Sequence, residues 1–376
     1  MAKIKHRRRE VVGDKIPLVS VIIPMYNAAK FIPQTLESLA YQTMQDFEVV
    51  VVDDCSTDTG VEVVEGFKPR FDSQGVKLHV VKLPKNSGTP GLPRNVGIQM
   101  ACGKYIAFLD SDDLFTKTAL EELTALAEEY QADMLHADVW FKVWGDKGKS
   151  VDDPAFTDMN ELTNPKNFML KSFRRRPPAQ KPELEEFDIA ERMRRWVNWE
   201  YYFATCTSFY RRDFIIANQI RFSDSPSSED HFFKFNCVCL ANKIVRLAKP
   251  FYIVRPRANS VSHTQLDAEK ILHKWIRVFS IGLNELERIM SGVKFFGEHP
   301  DYRYAVLDFF INLTLEYPEC SVPVYAQIHP GALYPLIKKD FSSDAESLSA
   351  YLFGTMNIQR LQIMRLQQEL AKFHKQ

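Results

Sequence analysis

The chain has 376 residues, of which 45% are hydrophobic and 26% charged, so it can bury a substantial core. Its length predicts two domains, with three as the alternative. Lys and Arg number 48, as do Asp and Glu, so net charge provides no general attraction to nucleic acid. No stretch approaches the roughly 18 apolar residues that a membrane-spanning helix needs, which excludes an integral membrane protein.

Apolar runs alternate with amphipathic stretches from Leu18 onward. Strands are predicted at residues 19–23, 47–52, 76–83 and 105–109, and helices at 29–40, 61–67, after Pro93 and at 117–130. Continuous apolar strands separated by helices are typical of a parallel sheet buried on both faces. Ligands bind such sheets at the carboxyl ends of the strands, where polar residues follow Ile23, Val52 and Leu109.

The later part of the chain has a different pattern. Residues 140–200 lose the alternation and gain Pro, Asp and Arg, which indicates an insertion. The core resumes at 205–210, and helices are predicted from about residue 268. We therefore expect an α/β domain over residues 15–265 and a helical C-terminal region over 266–376.

A short apolar stripe lies near the end of the chain, at Ile363, Leu366, Leu370 and Phe373. This spacing fits either an ordinary packed helix or a helix that joins copies of the chain in a homo-oligomer. Both alternatives stay open.

The amino terminus and the cysteines indicate the cytoplasm. Residues 3–9 are basic, but no apolar segment follows them, so they do not form a secretory signal. The six cysteines show no C-x-x-C spacing, and we expect neither disulfides nor zinc. Peripheral association with the inner face of the cell membrane stays open.

An acidic cluster follows the strand at 105–109. Asp110 and Asp112 form a D-x-D pattern, whose oxygen atoms suit Mg²⁺ or Mn²⁺ held against phosphates. An EF-hand is excluded because Phe115 occupies the position of the invariant Gly. Capping of the following helix by Asp113 or Thr116 is an alternative role that does not exclude metal binding by the others.

Five motifs occur in one order along the chain. They are VSVIIPMYN at 19–27, VVVVDDCSTD at 49–58, NSGTPGLPRNVG at 86–97, DSDD at 110–113 and SEDHFF at 228–233. Together they closely resemble the inverting nucleotide-sugar glycosyltransferases of family 2. The resemblance covers about residues 18–137 and 205–264. Within the family, the motifs look most like the wall teichoic acid enzymes that put N-acetylglucosamine on poly(ribitol phosphate).

The resemblance implies a GT-A fold, which is α/β and Rossmann-like with a mostly parallel sheet, and a set of donor-binding residues. It places uracil beside Pro24 and Tyr26, with Asp54 accepting from the uracil N3–H; an aromatic face and a carboxylate suit that task. For Arg94, a surface ion pair with Asp53 or Asp58 is the alternative. The implied donor-binding set comprises Pro24, Tyr26, Asp54, Asn86, Arg94, Asp110, Arg255, Arg257 and Ser260.

The resemblance also implies a metal site and a general base. Asp112 would ligate Mn²⁺ or Mg²⁺, Asp110 would contact the ribose or the ion, and His263 is an additional ligand in some relatives or else a surface residue. Asp230 would be the base that activates the acceptor hydroxyl, with Glu229 positioning Asp230 or that hydroxyl. Capping of the following helix is the alternative role of Asp230.

The segment from residue 174 to 202 suggests an acceptor surface within the insertion. Cations and flat aromatic faces there suit an acceptor with repeated phosphates, whereas a solvated face balanced by Glu residues is the alternative. The side chains concerned are Arg174, Arg175, Arg176, Arg192, Arg194, Arg195, Trp196, Trp199, Tyr201 and Tyr202.

The predicted function is therefore metal-dependent, inverting transfer of a hexose such as N-acetylglucosamine. The donor is a UDP-sugar and the acceptor a hydroxyl of a cell-surface polymer or glycan, of the teichoic acid or capsule type. A nucleotidyltransferase is disfavoured because no Gly-rich loop with Arg and Lys follows the first strand. A catalytically inactive glycan-binding or scaffold protein is the alternative, although the complete set of Asp54, Asp112 and Asp230 argues against it.

Overall fold

The computed structural model describes residues 16–143, 168–172, 179–185, 187–247, 249–255 and 268–315, with isolated positions elsewhere. Two compact units divide the chain. The first comprises residues 1–222 and 230–260, and the second comprises residues 223–229 and 261–376. In the part that the structure describes, no helix has the length and apolar character needed to cross a bilayer.

Eight strands of the first unit form its main sheet. They are β1 (Val19–Met25), β2 (Phe47–Asp53), β3 (Lys77–Lys82), β4 (Tyr105–Phe108), β6 (Met134–Ala137), β9 (Glu183–Glu185), β10 (Ser208–Arg211) and β11 (Ile244–Leu247). Their order is β3-β2-β1-β4-β10-β6-β11-β9. The four strands from β3 to β4 are parallel, whereas β10 runs antiparallel to both of its neighbours and β9 runs antiparallel to β11. The expected mostly parallel α/β architecture is confirmed.

A smaller sheet lies in the same unit. It contains β5 (Leu114–Phe115), β7 (Val139–Val143), β8 (Phe168–Ser172) and β12 (Tyr252–Val254), in the order β5-β12-β7-β8. β7 and β8 come from the segment that the sequence indicated to be an insertion, and β9 from that segment adds to the main sheet. The segment therefore contributes strands to both sheets. The loss of alternating apolar and amphipathic stretches in the sequence did not indicate these strands.

Seven helices of the described chain lie between residues 32 and 240. They are α1 (Ile32–Ala40), α2 (Gly60–Ser73), α3 (Gly91–Met100), α4 (Ala119–Tyr130), α5 (Ile189–Val197), α6 (Arg212–Ala217) and α7 (Glu229–Leu240). α2 is longer than predicted because it continues through Pro69. α3 begins before Pro93, which lies in the first turn, where a missing N–H leaves no intrahelical bond unmade.

Gly97 lets α3 lie against β1. A Cβ added at this position would stand 2.2 Å from Cγ2 of Ile22, which is fully buried. We expect Gly97→Ala to lower the free energy of unfolding by about 1–3 kcal/mol, since overpacking of a core forces side chains and backbone to shift. Urea denaturation measures the change.

Gly66 provides the matched control for that substitution, because it lies in α2 and an added Cβ would meet nothing within 4 Å. We expect Gly66→Ala to leave stability unchanged or to raise it by about 0.5–1 kcal/mol, as alanine is the better helix former. Equal stability of the two variants would contradict the close approach of α3 to β1.

The second unit contains α8 (Ala268–Ser291), α9 (Lys294–Glu298) and α10 (Pro300–Leu315), which confirms the helices expected after residue 268. Ile363, Leu366 and Leu370 of the apolar stripe have helical backbone, and each is more than half exposed. The alternative of an ordinary packed helix is therefore wrong for these three positions. Phe373 lies outside the described residues, and oligomerisation through the stripe stays a prediction.

Candidate active site

The loops after β1 and β2 are fastened to each other. The backbone N–H of Asn27 donates to Oγ of Ser56 at 2.9 Å, and the N–H of Thr57 donates to Oδ1 of Asn27 at 2.8 Å. Asn27 takes a left-handed backbone conformation with φ of 47°, which asparagine tolerates better than most residues. Two of the polar strand exits seen in the sequence therefore form one edge of a common site.

Asp54 holds a third loop at that edge. Its carboxylate accepts from the N–H of Ser87 at 2.9 and 3.0 Å and from Oγ of Ser87 at 2.9 Å, while its backbone carbonyl accepts from Nδ2 of Asn86 at 3.1 Å. Burial raises the pKa of Asp54, and the bonds from Ser87 oppose that rise. The N–H of Gly88 also donates to Asp54 and opposes the rise in its pKa, so the loop holds this carboxylate at more than one point.

Pro24 and Tyr26 differ in their accessibility. Pro24 is buried within β1, whereas Tyr26, just beyond the strand, leaves 47% of its surface exposed. Tyr26 therefore presents an aromatic face beside Asp54, which follows the neighbouring strand β2. An exposed ring next to a carboxylate can stack on a base and accept from one of its N–H groups.

The D-x-D loop after β4 has two accessible carboxylates and one buried carboxylate. Asp110 and Asp112 are half-buried, whereas Asp113 points inward and accepts from the Tyr252 hydroxyl and the Arg255 N–H, both at 2.8 Å. Burial, together with the charges of Asp112 and Asp110, raises the pKa of Asp113 well above its usual value. Asp113 thus fastens the loop to β12, and its expected alternative role as a helix cap is wrong.

Arg255 lies under this loop rather than at its surface. Its guanidinium donates to the carbonyl of Asp112 and to Oε1 of Gln34, and also to the carbonyl of Phe31 at 3.1 Å and Oγ1 of Thr35 at 3.0 Å. All three nitrogen atoms are engaged with the protein. The expected contact of Arg255 with a diphosphate is therefore corrected: in this geometry the side chain joins the D-x-D loop to α1.

Arg94 connects two carboxylates that are far apart in the sequence. The guanidinium is 3% exposed, and it donates to Oδ1 of Asp230 at 2.6 Å and to Oδ1 of Asp110 at 2.8 Å. The alternative of a surface ion pair is wrong for this residue. Arg94 brings the carboxylate expected to be the base next to the D-x-D loop.

Asp230 lies in the first turn of α7, with 28% of its side chain exposed. Burial raises the pKa of its carboxyl, and the Arg94 cation opposes that rise. Glu229 directly precedes it as the first residue of the helix and is buried. A partly exposed carboxylate with a raised pKa is suited to accept a proton from a hydroxyl.

The residues of the D-x-D loop fit a hard divalent cation. Asp110 and Asp112 offer oxygen atoms only, which is the donor type that Mg²⁺ and Mn²⁺ prefer. Across the described residues, no three His, Cys, Asp or Glu side chains are arranged to hold a metal by themselves. An ion here would therefore need further oxygen ligands, such as those of a diphosphate.

The arginines of the expected acceptor surface are engaged elsewhere. Arg192 is buried and donates to the carbonyls of Val238 and Ala241. Arg194 pairs with Glu191 and Glu200, and Arg195 pairs with Glu191 and Glu185. The balanced polar face is therefore the correct alternative for Arg194 and Arg195.

The aromatic residues of that segment divide into two groups. Trp196 and Tyr201 are fully buried, which corrects their assignment to an acceptor surface. Tyr202 and Trp199 are half-buried, and the Trp199 ring packs against Phe203 with the ring centroids 5.2 Å apart. The remaining residues of the expected sites lie outside the described residues: Arg174, Arg175, Arg176, Arg257, Ser260 and His263.

Two residues of the site were not identified from the sequence. Ser87 lies within the NSGTPG motif and holds Asp54, while Tyr252 occurs in an apolar strand that gave no sign of a polar role. For Ser87, the Asn-Ser-Gly turn after a strand was the available signal. Tyr252 could be recognised only from its contact with Asp113, 139 positions away in the chain.

Comparison with known proteins gives a family and two relatives. The family model described as "Glycosyl transferase family 2" matches residues 20–216. Poly(ribitol-phosphate) beta-N-acetylglucosaminyltransferase TarS of Staphylococcus aureus is 33% identical over 242 residues, which are 63% of this chain and 35% of that relative. Poly(ribitol-phosphate) beta-glucosyltransferase of Bacillus spizizenii is 35% identical over 144 residues, 38% of this chain and 22% of that relative. The matches thus span about a third or less of these relatives.

The fold also has a counterpart among solved structures. The crystal structure of S. aureus TarS 1-349 in complex with UDP-GlcNAc superimposes with a TM-score of 0.60 at 24% sequence identity, covering 93% of this chain and 91% of that chain. A likeness at this level of identity establishes a shared fold.

Proposed function

The chain belongs to glycosyl transferase family 2, and on that premise we propose that it transfers a hexose from a UDP-sugar to a hydroxyl of a cell-surface polyol phosphate or glycan. N-acetylglucosamine and glucose are the proposed sugars because the two curated relatives are named for their transfer to poly(ribitol phosphate). A cytoplasmic location, where UDP-sugars are made, is part of the proposal.

The observation that carries the proposal is the bridge from Asp110 through Arg94 to Asp230. The two Arg94 contacts, at 2.8 and 2.6 Å, hold the D-x-D loop and the proposed base side by side. A transferase needs these groups together, since the diphosphate leaves from the carbon that the acceptor oxygen attacks. A glycan-binding protein without activity would have no use for a buried cation between two carboxylates.

The proposed reaction is a single displacement. Asp230 takes the proton of the acceptor hydroxyl while the oxygen attacks the anomeric carbon and the bond to the diphosphate breaks. Attack from the side opposite the leaving group inverts the anomeric centre, so an α-linked donor gives a β-linked product. Arg94 keeps the Asp230 carboxylate ionised and oriented for this step.

The proposed donor site uses the two fastened strand exits. Tyr26 stacks on the uracil, and the Asp54 carboxylate accepts from the uracil N3–H. Ser87 and Asn86 keep that carboxylate in place. Arg257, Ser260 and Glu229 keep their expected roles as proposals, the first two toward the diphosphate and the third toward the acceptor.

Asp112, and secondarily Asp110, would hold Mn²⁺ or Mg²⁺, with His263 as the further proposed ligand. A divalent cation at this place neutralises the charge that the departing diphosphate carries. Arg255 and Asp113 hold the D-x-D loop in position for the ion. Nε of Arg255 donates to the carbonyl of Asp112, and the Asp113 carboxylate accepts from the backbone N–H of Arg255.

We expect Asp112→Asn to weaken UDP binding in the presence of Mn²⁺ by at least about tenfold, since a neutral amide is a poorer ligand for a hard cation. Binding without metal should change little. Isothermal titration calorimetry with UDP, with and without Mn²⁺, measures both quantities. Asp72→Asn, at an exposed position of α2, is the matched control. Unaltered Mn²⁺-dependent UDP affinity in Asp112→Asn would remove Asp112 from the site.

The overall proposal is tested by mixing the protein with UDP-GlcNAc or UDP-glucose, with poly(ribitol phosphate) and Mn²⁺, and measuring the release of UDP. We expect release that rises when the acceptor is added. Binding of a UDP-sugar without release of UDP in either condition would favour the inactive glycan-binding alternative.

A further inference from the structure

Two aromatic side chains form a stacked pair near the active site. The rings of Trp140 and Tyr202 are 4.3 Å apart between centroids and only 5° from parallel. Trp140 lies in β7, and Tyr202 follows α5. Both stay half-buried, whereas Trp196 and Tyr201 nearby in the chain are fully buried. The pair therefore keeps aromatic surface that a ligand can meet.

The pair lies beside the proposed base. Phe203, the next residue after Tyr202, packs edge-on against His231 with ring centroids 4.4 Å apart, and His231 directly follows Asp230. The pKa of Tyr202 is raised by burial and by the charges of Cys206, Asp230, Asp113 and Asp110, so its ring stands within electrostatic reach of the active carboxylates. The contact between Phe203 and His231 therefore brings the segment of Tyr202 next to the start of α7, which carries Asp230.

The strand order distinguishes the two sides of that site. The proposed uracil contacts follow β1 and β2, and the D-x-D loop follows β4. β6 lies on the other side of β4, beyond β10, and β7 with Trp140 begins two residues after β6 ends. In the order of the strands, Trp140 thus follows the half of the sheet on the other side of β4 from the proposed uracil contacts.

We propose that Trp140 and Tyr202 form an acceptor platform, which binds the carbon skeleton of a sugar or alditol unit and directs its hydroxyl toward Asp230. Aromatic faces suit such a ligand because they cover its C–H groups and leave the hydroxyls to polar partners. The inference rests on the proposed function and adds the site that receives the acceptor. It also replaces the arginine surface, whose described members are engaged with acids or with the core.

The test measures transfer from UDP-GlcNAc to poly(ribitol phosphate), with each substrate varied in turn. We expect Trp140→Ala to raise the KM for the acceptor about three- to tenfold, because the stacking face is lost, with kcat within about twofold of wild type. The KM for UDP-GlcNAc and the affinity for UDP should not change. Trp140→Phe, which keeps an aromatic face, should restore an acceptor KM close to that of wild type.

Tyr41→Ala is the control, since Tyr41 is a half-exposed aromatic residue directly after the last residue of α1. Trp140→Leu keeps bulk without an aromatic face, and it replaces Trp140→Ala if that variant does not fold. An unchanged acceptor KM in the Ala or Leu variant would overturn the platform, as would an equal rise in the KM for UDP-GlcNAc.

A binding measurement separates the platform from the reaction. Poly(ribitol phosphate) is added to the UDP-loaded protein, and binding is followed by isothermal titration calorimetry. Binding that Trp140→Leu weakens would support the platform even if no sugar is transferred, in which case the proposed function alone fails. Lack of binding to the wild type would overturn the platform for an acceptor of this class.

Discussion

Replacing Asp230 with Asn is expected to lower kcat for sugar transfer by about 10²–10⁴-fold, the usual contribution of a general base. The amide has nearly the same shape as the carboxylate but cannot take the hydroxyl proton. Affinity for UDP and for the UDP-sugar should stay near that of wild type, because the donor contacts lie with Tyr26 and Asp54. Initial rates at saturating substrates and calorimetry with UDP measure the two effects separately.

The control for this substitution is Asp213→Asn, because Asp213 is a highly exposed carboxylate at the start of α6. It should behave as the wild type. Residual transfer in Asp230→Asn within tenfold of the wild type would show that another group takes the proton. The anomeric configuration of the product, read from proton coupling in NMR, tests the same mechanism, since a product with retained α-configuration would contradict a single displacement.

The sequence predicted the parts of the site that depend on strand ends. Asp54 and Asp112 each follow a continuous apolar run, and the edge of a parallel sheet brings such residues together wherever the loops go. Asp230 was predicted from its motif alone, because no local pattern describes the connection that brings α7 to the D-x-D loop. The confirmed fold follows from the same logic of buried strands separated by helices.

The errors concern long side chains whose partners are distant in the sequence. Arg192 and Arg255 looked like accessible cations, yet the structure buries both, and each donates to backbone carbonyls of the protein. The sequence does not show whether an arginine binds a ligand or donates to acceptors within the protein, since the same guanidinium suits both tasks. Trp196 and Tyr201 were misjudged for the corresponding reason, because an aromatic residue in a charged helix can still face the core.

Substitution of Arg94 is expected to have the second large effect. Arg94→Gln should lower kcat/KM for transfer by roughly 10- to 100-fold, because hydrogen bonds to charged groups contribute about 1.5–3 kcal/mol and two carboxylates lose their shared partner. Arg94→Lys keeps the charge but lacks the planar fork that reaches both carboxylates, so an intermediate loss is expected. Arg70→Gln, at a more exposed ion pair with Glu37, is the control and should leave kcat/KM unchanged.

The pH dependence distinguishes the charge of Arg94 from its geometry. In the proposed mechanism transfer requires ionised Asp230, so kcat/KM is expected to rise with pH through the pKa of that carboxyl. Burial already raises this pKa, and the Arg94 cation opposes the rise. Loss of the cation in Arg94→Gln should therefore raise the pKa further and move the acidic limb of the profile to higher pH, whereas Arg94→Lys should leave the limb near its wild-type position. An acidic limb that is the same in Arg94→Gln as in wild type would mean that Arg94 orients Asp230 without controlling its ionisation.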